Sequence, residues 1–134
     1  MTDLNQSAGP SGNQSRALRQ LHGKRVLITG TTGFLGKVIL EKLMRSVPGI
    51  GGVVLLIRGN RHYVSARDRF LHEVASASIF DYLKVDYPQY FDRFLEEKVE
   101  CVTGEVTEPL FGLTQSGFSE LAEQTDAVIN VAAS

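Results

Sequence analysis

The sequence predicts an α/β protein built on a doubly wound parallel sheet of about four strands with covering helices. Three observations predict it. Apolar runs such as "RVLIT" and "GGVVLLI" show no polar alternation, as expected of strands covered on both faces. Stretches with apolar residues at helical spacing separate these runs. Where the first strand meets the first such stretch, "TGTTGFLG" sets Gly30, Gly33 and Gly36 at even intervals.

Taken in order, residues 1–15, "MTDLNQSAGPSGNQS", carry Leu4 as their single large aliphatic and cannot repay the entropy of ordering, so a disordered polar tail is expected. "RALRQL" reads as a short helix with Leu18 and Leu21 inward, ended by Gly23. "RVLIT" is the first strand. "FLGKVILEKLMRSV" places Leu35, Val38, Ile39, Lys42, Leu43 and Val47 at helical spacing, with Lys37, Glu41 and Arg45 on the other side; Pro48-Gly49 stops the helix. "GGVVLLI" is the second strand, and "SARDRFLHEVASASIF" a second helix with Phe70, Leu71 and Val74 inward. "DYLKVDYPQYFDRFLEE" reads as short helical pieces broken at Pro88. "KVECVTG", "SGFSELAEQ" and "DAVINVAA" complete the alternation as strand, helix and strand. Because Ser134 follows directly on a strand, residues 16–134 are expected to be the N-terminal part of a larger α/β domain.

Composition narrows the function. The 134 residues, 43% hydrophobic and 22% charged, suit one globular domain with one core. A formal net charge of -1 provides no global field for nucleic acid or an anionic membrane. Cys101 is the only cysteine, so no internal disulfide forms, and its flanking valines give it a half-buried structural place. No basic region precedes an apolar run, and the longest aliphatic run, Val53 to Ile57, falls far short of the roughly 20 residues that span a bilayer. A cytoplasmic protein is expected. His22, His62 and His72 lack ligand spacing with each other and with Cys101, which argues against a metal site. Glu96-Glu97 and the pair Asp81 and Asp86 read as solvated faces. "YPQYFDRF" has one cation, Arg93, and its aromatics suit a helix core better than base stacking.

The glycines carry the chemistry. A tight turn, close approach to a ligand and close packing of the next helix all favour a residue without Cβ. The helix beginning near Phe34 turns its unpaired N–H groups and positive dipole end to that turn, an anion site suited to a pyrophosphate. Gly30, Thr31, Thr32, Gly33, Phe34, Leu35 and Gly36 are the candidate cofactor residues there, with Thr29 as a further hydroxyl beside them. Lys37 follows Gly36 without a Ser or Thr after it, so the pattern is not that of a nucleotide triphosphatase. NAD-specific sites usually have an acid at the end of the second strand. This chain has Arg58 there, with Arg61 nearby and Arg69 in the next helix, which predicts recognition of a 2'-phosphate and hence NADPH.

"TGTTGFLG" resembles the TGxxGFLG signature of the extended short-chain dehydrogenase/reductase superfamily, which implies a Rossmann-type fold. The resemblance also implies that Glu105 and Val106, in place of the superfamily's "GDL", border the adenine. "NVAAS" is similar to its NAG or HxAA tetrapeptides, with Ala132 and Ala133 small enough to stand against the cofactor. Together "VLITGTTGFLGKVILEKLMRSVPGIGGVVLLIRGN", "GEVTEPLFGL" and "VINVAAS" look like the N-terminal part of a fatty acyl-CoA reductase, most closely the bacterial alcohol-forming kind. Such reductases use NADPH to take a long-chain acyl thioester to an aldehyde and on to a fatty alcohol. The reductase domain of a carboxylic acid reductase or a peptide synthetase shares the glycine loop, the strand-end arginine and the thioester substrate. A noncatalytic NADP-binding sensor is the alternative outside enzymes. The family's catalytic Tyr-x-x-x-Lys is absent: four residues after Tyr63, Tyr82, Tyr87 and Tyr90 stand Arg67, Asp86, Phe91 and Phe94. That pair is expected beyond Ser134, and the chain alone is expected to be inactive.

Overall fold

The computed structural model describes residues 16–131; the tail expected over residues 1–15 and the small residues Ala132 and Ala133 lie outside the described residues. A short helix α1 (Arg16–Arg19) leads to strand β1 (Arg25–Thr29), helix α2 (Phe34–Ser46) and strand β2 (Gly52–Ile57). Helix α3 (Ala66–Arg69) runs into a wider turn over Phe70–Val74 and a tight one over Ser78–Phe80. Helices α4 (Asp81–Asp86) and α5 (Pro88–Glu97) follow, then strand β3 (Val99–Thr103), a tight turn at Pro109–Gly112, helix α6 (Gln115–Gln124) and strand β4 (Ala127–Asn130).

The four strands pair in parallel in the order β3-β2-β1-β4. Thr29 lies opposite Leu56 on one side and Asn130 on the other, and Ile57 lies opposite Thr103. All the carboxyl ends therefore emerge along one edge. Alternate residues of β1 and β2 face opposite sides and so belong to two cores. Val26, Ile28, Val53, Leu55 and Ile57 pack with α2, Phe70, Val74, Phe80, Leu83 and the apolar side of α5. Leu27, Val54 and Leu56 pack with Val102, Val106, Phe111 and Leu121. Helices thus cover both faces, as the doubly wound expectation requires.

Helix α2 differs from expectation in its rotation. Gly36, Leu40, Glu41, Leu43 and Met44 are its buried residues, Val47 just beyond it is buried, and Leu35 and Lys42 are exposed. The cause is steric: a Cβ on Gly36 would come within 2.1 Å of the Gly30 carbonyl oxygen, so this side of the helix lies against the β1 turn. Leu40, Leu43, Met44 and Val47 follow Gly36 around the same stripe. Glu41, read from sequence as solvent-facing, is buried and held by Arg45 Nε at 3.1 and 3.2 Å.

The second helix is also broken where a continuous one was expected. Ala75 N–H donates to the Phe70 carbonyl at 2.9 Å, closing a five-residue step that inserts an extra residue into the turn. Phe70 and Val74 remain fully buried while Leu71 turns outward, 44% exposed, correcting the expectation that all three face in. Pro88 begins α5 at a position that needs no N–H donor, and Tyr90, Phe91, Phe94 and Leu95 form its buried side. Lys98 Nζ closes the base of the sheet by donating to the carbonyls of Pro48 and Ile50 at 2.9 and 2.7 Å. Among the described residues, no helix is long and apolar enough to cross a membrane.

Candidate functional site

The carboxyl edge of the sheet reverses direction between β1 and β4, because the chain moves outward from β1 to β2 and β3 before returning to β1's other side. Ligands of open α/β sheets bind at such a crevice. Gly30 occupies it with φ 82, a backbone conformation that side chains disfavour, and its carbonyl accepts from Gly33 N–H at 3.1 Å. Gly33 caps α2 with no side-chain hydrogen bond. The first-turn N–H groups are consequently left for an external acceptor, and the helix is long enough to present its dipole there. Phe34 and Leu35, 71% and 60% exposed, project from this turn.

The hydroxyls around the loop separate into roles. Thr29 Oγ1 is used internally, donating to Asn130 Oδ1 at 2.6 Å and tying the ends of β1 and β4. This removes it as a donor to ligand and identifies Asn130 as a positioning residue that the sequence reading missed. Thr32 is half-buried. Thr31 Oγ1 is buried and has no hydrogen-bond partner among the described residues, an expense that functional sites commonly carry. The positive-φ turn, the glycine cradle and this orphaned hydroxyl fit a dinucleotide pyrophosphate.

Beyond β2 and β3 the structure brings together residues far apart in sequence. Arg58 Nε lies 2.6 Å from Glu105 Oε2, with the arginine side chain 77% exposed and the glutamate 24%. Arg69 is mostly buried: its Nη1 donates to the Arg58 carbonyl at 2.7 Å and its Nε to Glu73 at 2.5 Å. The structure thus sets Arg69 behind the Arg58 loop. Val106 contributes to the apolar cluster beneath Glu105. Arg61 is exposed and Asn60 Oδ1 accepts from His62 N–H at 2.7 Å, so the loop turns sharply after Arg58.

Burial pushes the Cys101 thiol upward, against the opposing influence of Arg67, as suits a free cysteine in a half-buried strand. Among the described residues no group of three or more His, Cys, Asp or Glu side chains could hold a metal ion.

Comparison with known proteins agrees with this geometry. The family model described as Male sterility protein, an NAD-binding family, matches residues 28–134. The chain belongs to this family. A nicotinamide cofactor is therefore the ligand class of the Male sterility fold. The chloroplastic fatty acyl-CoA reductase 2 of Arabidopsis thaliana is 37% identical over 113 residues, covering 84% of this chain and 18% of the relative. Fatty acyl-CoA reductase 1 of Homo sapiens is 36% identical over 111 residues, covering 83% and 20%. The alcohol-forming fatty acyl-CoA reductase of Simmondsia chinensis is 34% identical over 117 residues, covering 87% and 24%. The chain spans about a fifth of the length of these relatives. Among solved structures, the reductase domain of a nonribosomal peptide synthetase from Mycobacterium tuberculosis superposes with a TM-score of 0.61 at 28% identity, covering 94% of this chain and 26% of its own.

Proposed function

We propose that this chain is the cofactor-holding part of an NADPH-dependent reductase that converts long-chain fatty acyl-CoA to aldehyde or fatty alcohol in the cytoplasm. The domain it contributes to begins at residue 16. The observation that carries the choice of NADPH is Arg58, an exposed guanidinium at the end of β2 where NAD-specific sites have an acid. The bound nucleotide would supply hydride to the thioester carbonyl. Gly30, Thr31, Thr32 and Gly33 hold the pyrophosphate with the N–H groups of Phe34, Leu35 and Gly36. Arg58 takes the 2'-phosphate, supported by Arg69 through its main chain. Glu105 and Val106 border the adenine, and Ala132, outside the described residues, stands against the nicotinamide half.

Reduction also needs a proton donor for the carbonyl oxygen. No tyrosine of this sequence has a lysine four residues on, so on this reading the chain by itself binds cofactor poorly and does not turn over. The likeness to the peptide synthetase reductase domain favours one second reading, reduction of a carrier-bound thioester.

Direct titration of the natural protein in which this chain occurs with NADPH and NADH tests the assignment. An Arg–phosphate contact predicts that Arg58→Ala weakens NADPH about tenfold or more and leaves NADH nearly unchanged. Equal losses would assign Arg58 a structural role only. For the natural protein in which this chain occurs, NADPH-dependent thiol release from palmitoyl-CoA supports the acyl-CoA reading, whereas turnover of a carrier-bound thioester alone supports the second.

A further inference from the structure

We propose that Glu105 is a positioning residue for cofactor choice: it holds Arg58 at Nε and so presents the terminal nitrogens of the guanidinium to a phosphate. The proposal rests on the reading that Arg58 receives the 2'-phosphate. It assigns Glu105 an action through Arg58, in addition to bordering the adenine.

The two residues meet because β2 and β3 are neighbours in register, Ile57 opposite Thr103, so that the next residues emerge side by side. Glu105 is the anchored member. Gly104 N–H donates to the Ile57 carbonyl at 3.0 Å, and Glu105 N–H to the Phe111 carbonyl at 2.9 Å. A Cβ on Gly104 would stand 2.4 Å from Leu56 Cδ1 and 2.8 Å from the Phe111 oxygen, so this segment is pressed onto the sheet. Leu110, Phe111 and Gly112 all have positive φ, at 55, 56 and 74. Two of them are not glycine, and such strain persists only where surrounding contacts over-determine it. Phe111 supplies those contacts, packing into the Leu27, Val54 and Leu56 cluster and against the Phe118 ring at 5.7 Å.

Arg58 is also held at its main-chain carbonyl, which accepts from Arg69. Its long side chain, 77% exposed, would otherwise sample many rotamers and lose them on binding. Contact with Glu105 at 2.6 Å restricts it beforehand. A carboxylate near a phosphate also repels it, but at this exposed edge solvent and salt screen the longer separation more than the contact pair. Preorganisation therefore outweighs repulsion.

The experiment measures dissociation constants of NADPH and NADH for the natural protein in which this chain occurs and for its variants Glu105→Ala, Glu105→Gln, Arg58→Ala and the double variant Arg58→Ala/Glu105→Ala. Glu105→Ala is expected to lower the NADPH preference about three- to fivefold, the scale of an exposed ion pair. Glu105→Gln is expected to lower it likewise, because Arg58 Nε meets Glu105 as an ion pair and a neutral amide removes the charge. With Arg58 already removed, Glu105→Ala leaves the preference unchanged. An undiminished preference in Glu105→Ala, or tighter NADPH binding in either Glu105 variant, overturns the proposal. So does an effect of Glu105→Ala that persists without Arg58, since the carboxylate would then act on the cofactor directly. If Glu105→Ala fails to fold, the glutamine variant decides by the same criterion. Loss of preference in Arg58→Ala with none in Glu105→Ala rejects this inference alone, whereas no change in Arg58→Ala rejects the underlying reading.

Discussion

The Cβ position of Gly36 falls 2.1 Å from the carbonyl oxygen of Gly30. Helix α2 can approach the turn after β1 this closely only because Gly36 has no side chain. Gly33 is different: it is extended, with φ -85, and its Cβ would lie 3.5 Å from the same oxygen, an ordinary contact. Gly36→Ala should destabilise the chain by about 2–4 kcal/mol, as overpacking against backbone does. Gly33→Ala should leave the thermal midpoint nearly unchanged yet weaken NADPH, because a phosphate in the proposed site must approach the backbone closely at this glycine. Melting curves and cofactor titration of the two variants separate these roles; equal destabilisation would show that both glycines serve packing.

The same contact shows what sequence could and could not convey. β1 and β2 were legible because uninterrupted aliphatic runs suit a strand buried on both sides, and the glycine turn because it joined such a strand to an amphipathic stretch. The rotation of α2 was not, since Leu35, Val38 and Ile39 offer one apolar stripe and Leu40, Leu43 and Met44 another. Contact between Gly36 and Gly30 decides between them, and that contact is tertiary. The extra residue in the Phe70–Val74 turn likewise depends on which side chains the sheet accepts. At the site, Arg58 and Glu105 could each be picked out at a strand end, but their ion pair needs the register of β2 on β3. Pro109 and Gly112 signal a turn. Nothing in the residue types of Leu110 and Phe111 announces positive φ.

That turn should respond to substitution according to which of its residues holds it. Leu110 is 36% exposed at φ 55, where asparagine is better tolerated. Leu110→Asn should be neutral or stabilising by up to about 1 kcal/mol, given the cost of left-handed backbone. Phe111→Ala should cost about 2–4 kcal/mol through lost packing. Urea midpoints check the pair, and a larger loss at Leu110 would mean that the strain is not maintained by Phe111.

Arg69 spans two acceptors with one planar group, the Arg58 carbonyl and Glu73. Lysine preserves its charge but not the fork. Arg69→Lys should therefore lower NADPH affinity about threefold to tenfold, corresponding to one or two lost hydrogen bonds in the Arg58 loop. If charge alone mattered at this position, the substitution would leave NADPH binding intact.

Tyr90 makes folding sensitive to alkali. Its hydroxyl donates to the Met44 carbonyl, and burial pushes its pKa up to about 12 from 10.0. Between these values the unfolded chain loses the phenolic proton while the folded chain keeps it, so the folded state binds more protons and stability falls as pH rises. Below pH about 10 the contribution is complete. Tyr82, raised by its hydrogen bond with Tyr87, acts with the same sign. Lys98 acts in the opposite sense, because burial lowers its pKa and stability rises with pH as its proton leaves the folded chain first. Tyr90→Phe loses one hydrogen bond and should cost about 1 kcal/mol at neutral pH. Its decline above pH 10 should be shallower, set by Tyr82 and Lys98, so the gap to the parent closes and then reverses as pH approaches 12. Thermal midpoints from pH 7 to 11.5 measure that convergence; parallel curves would show that the buried phenol is not the titrating group.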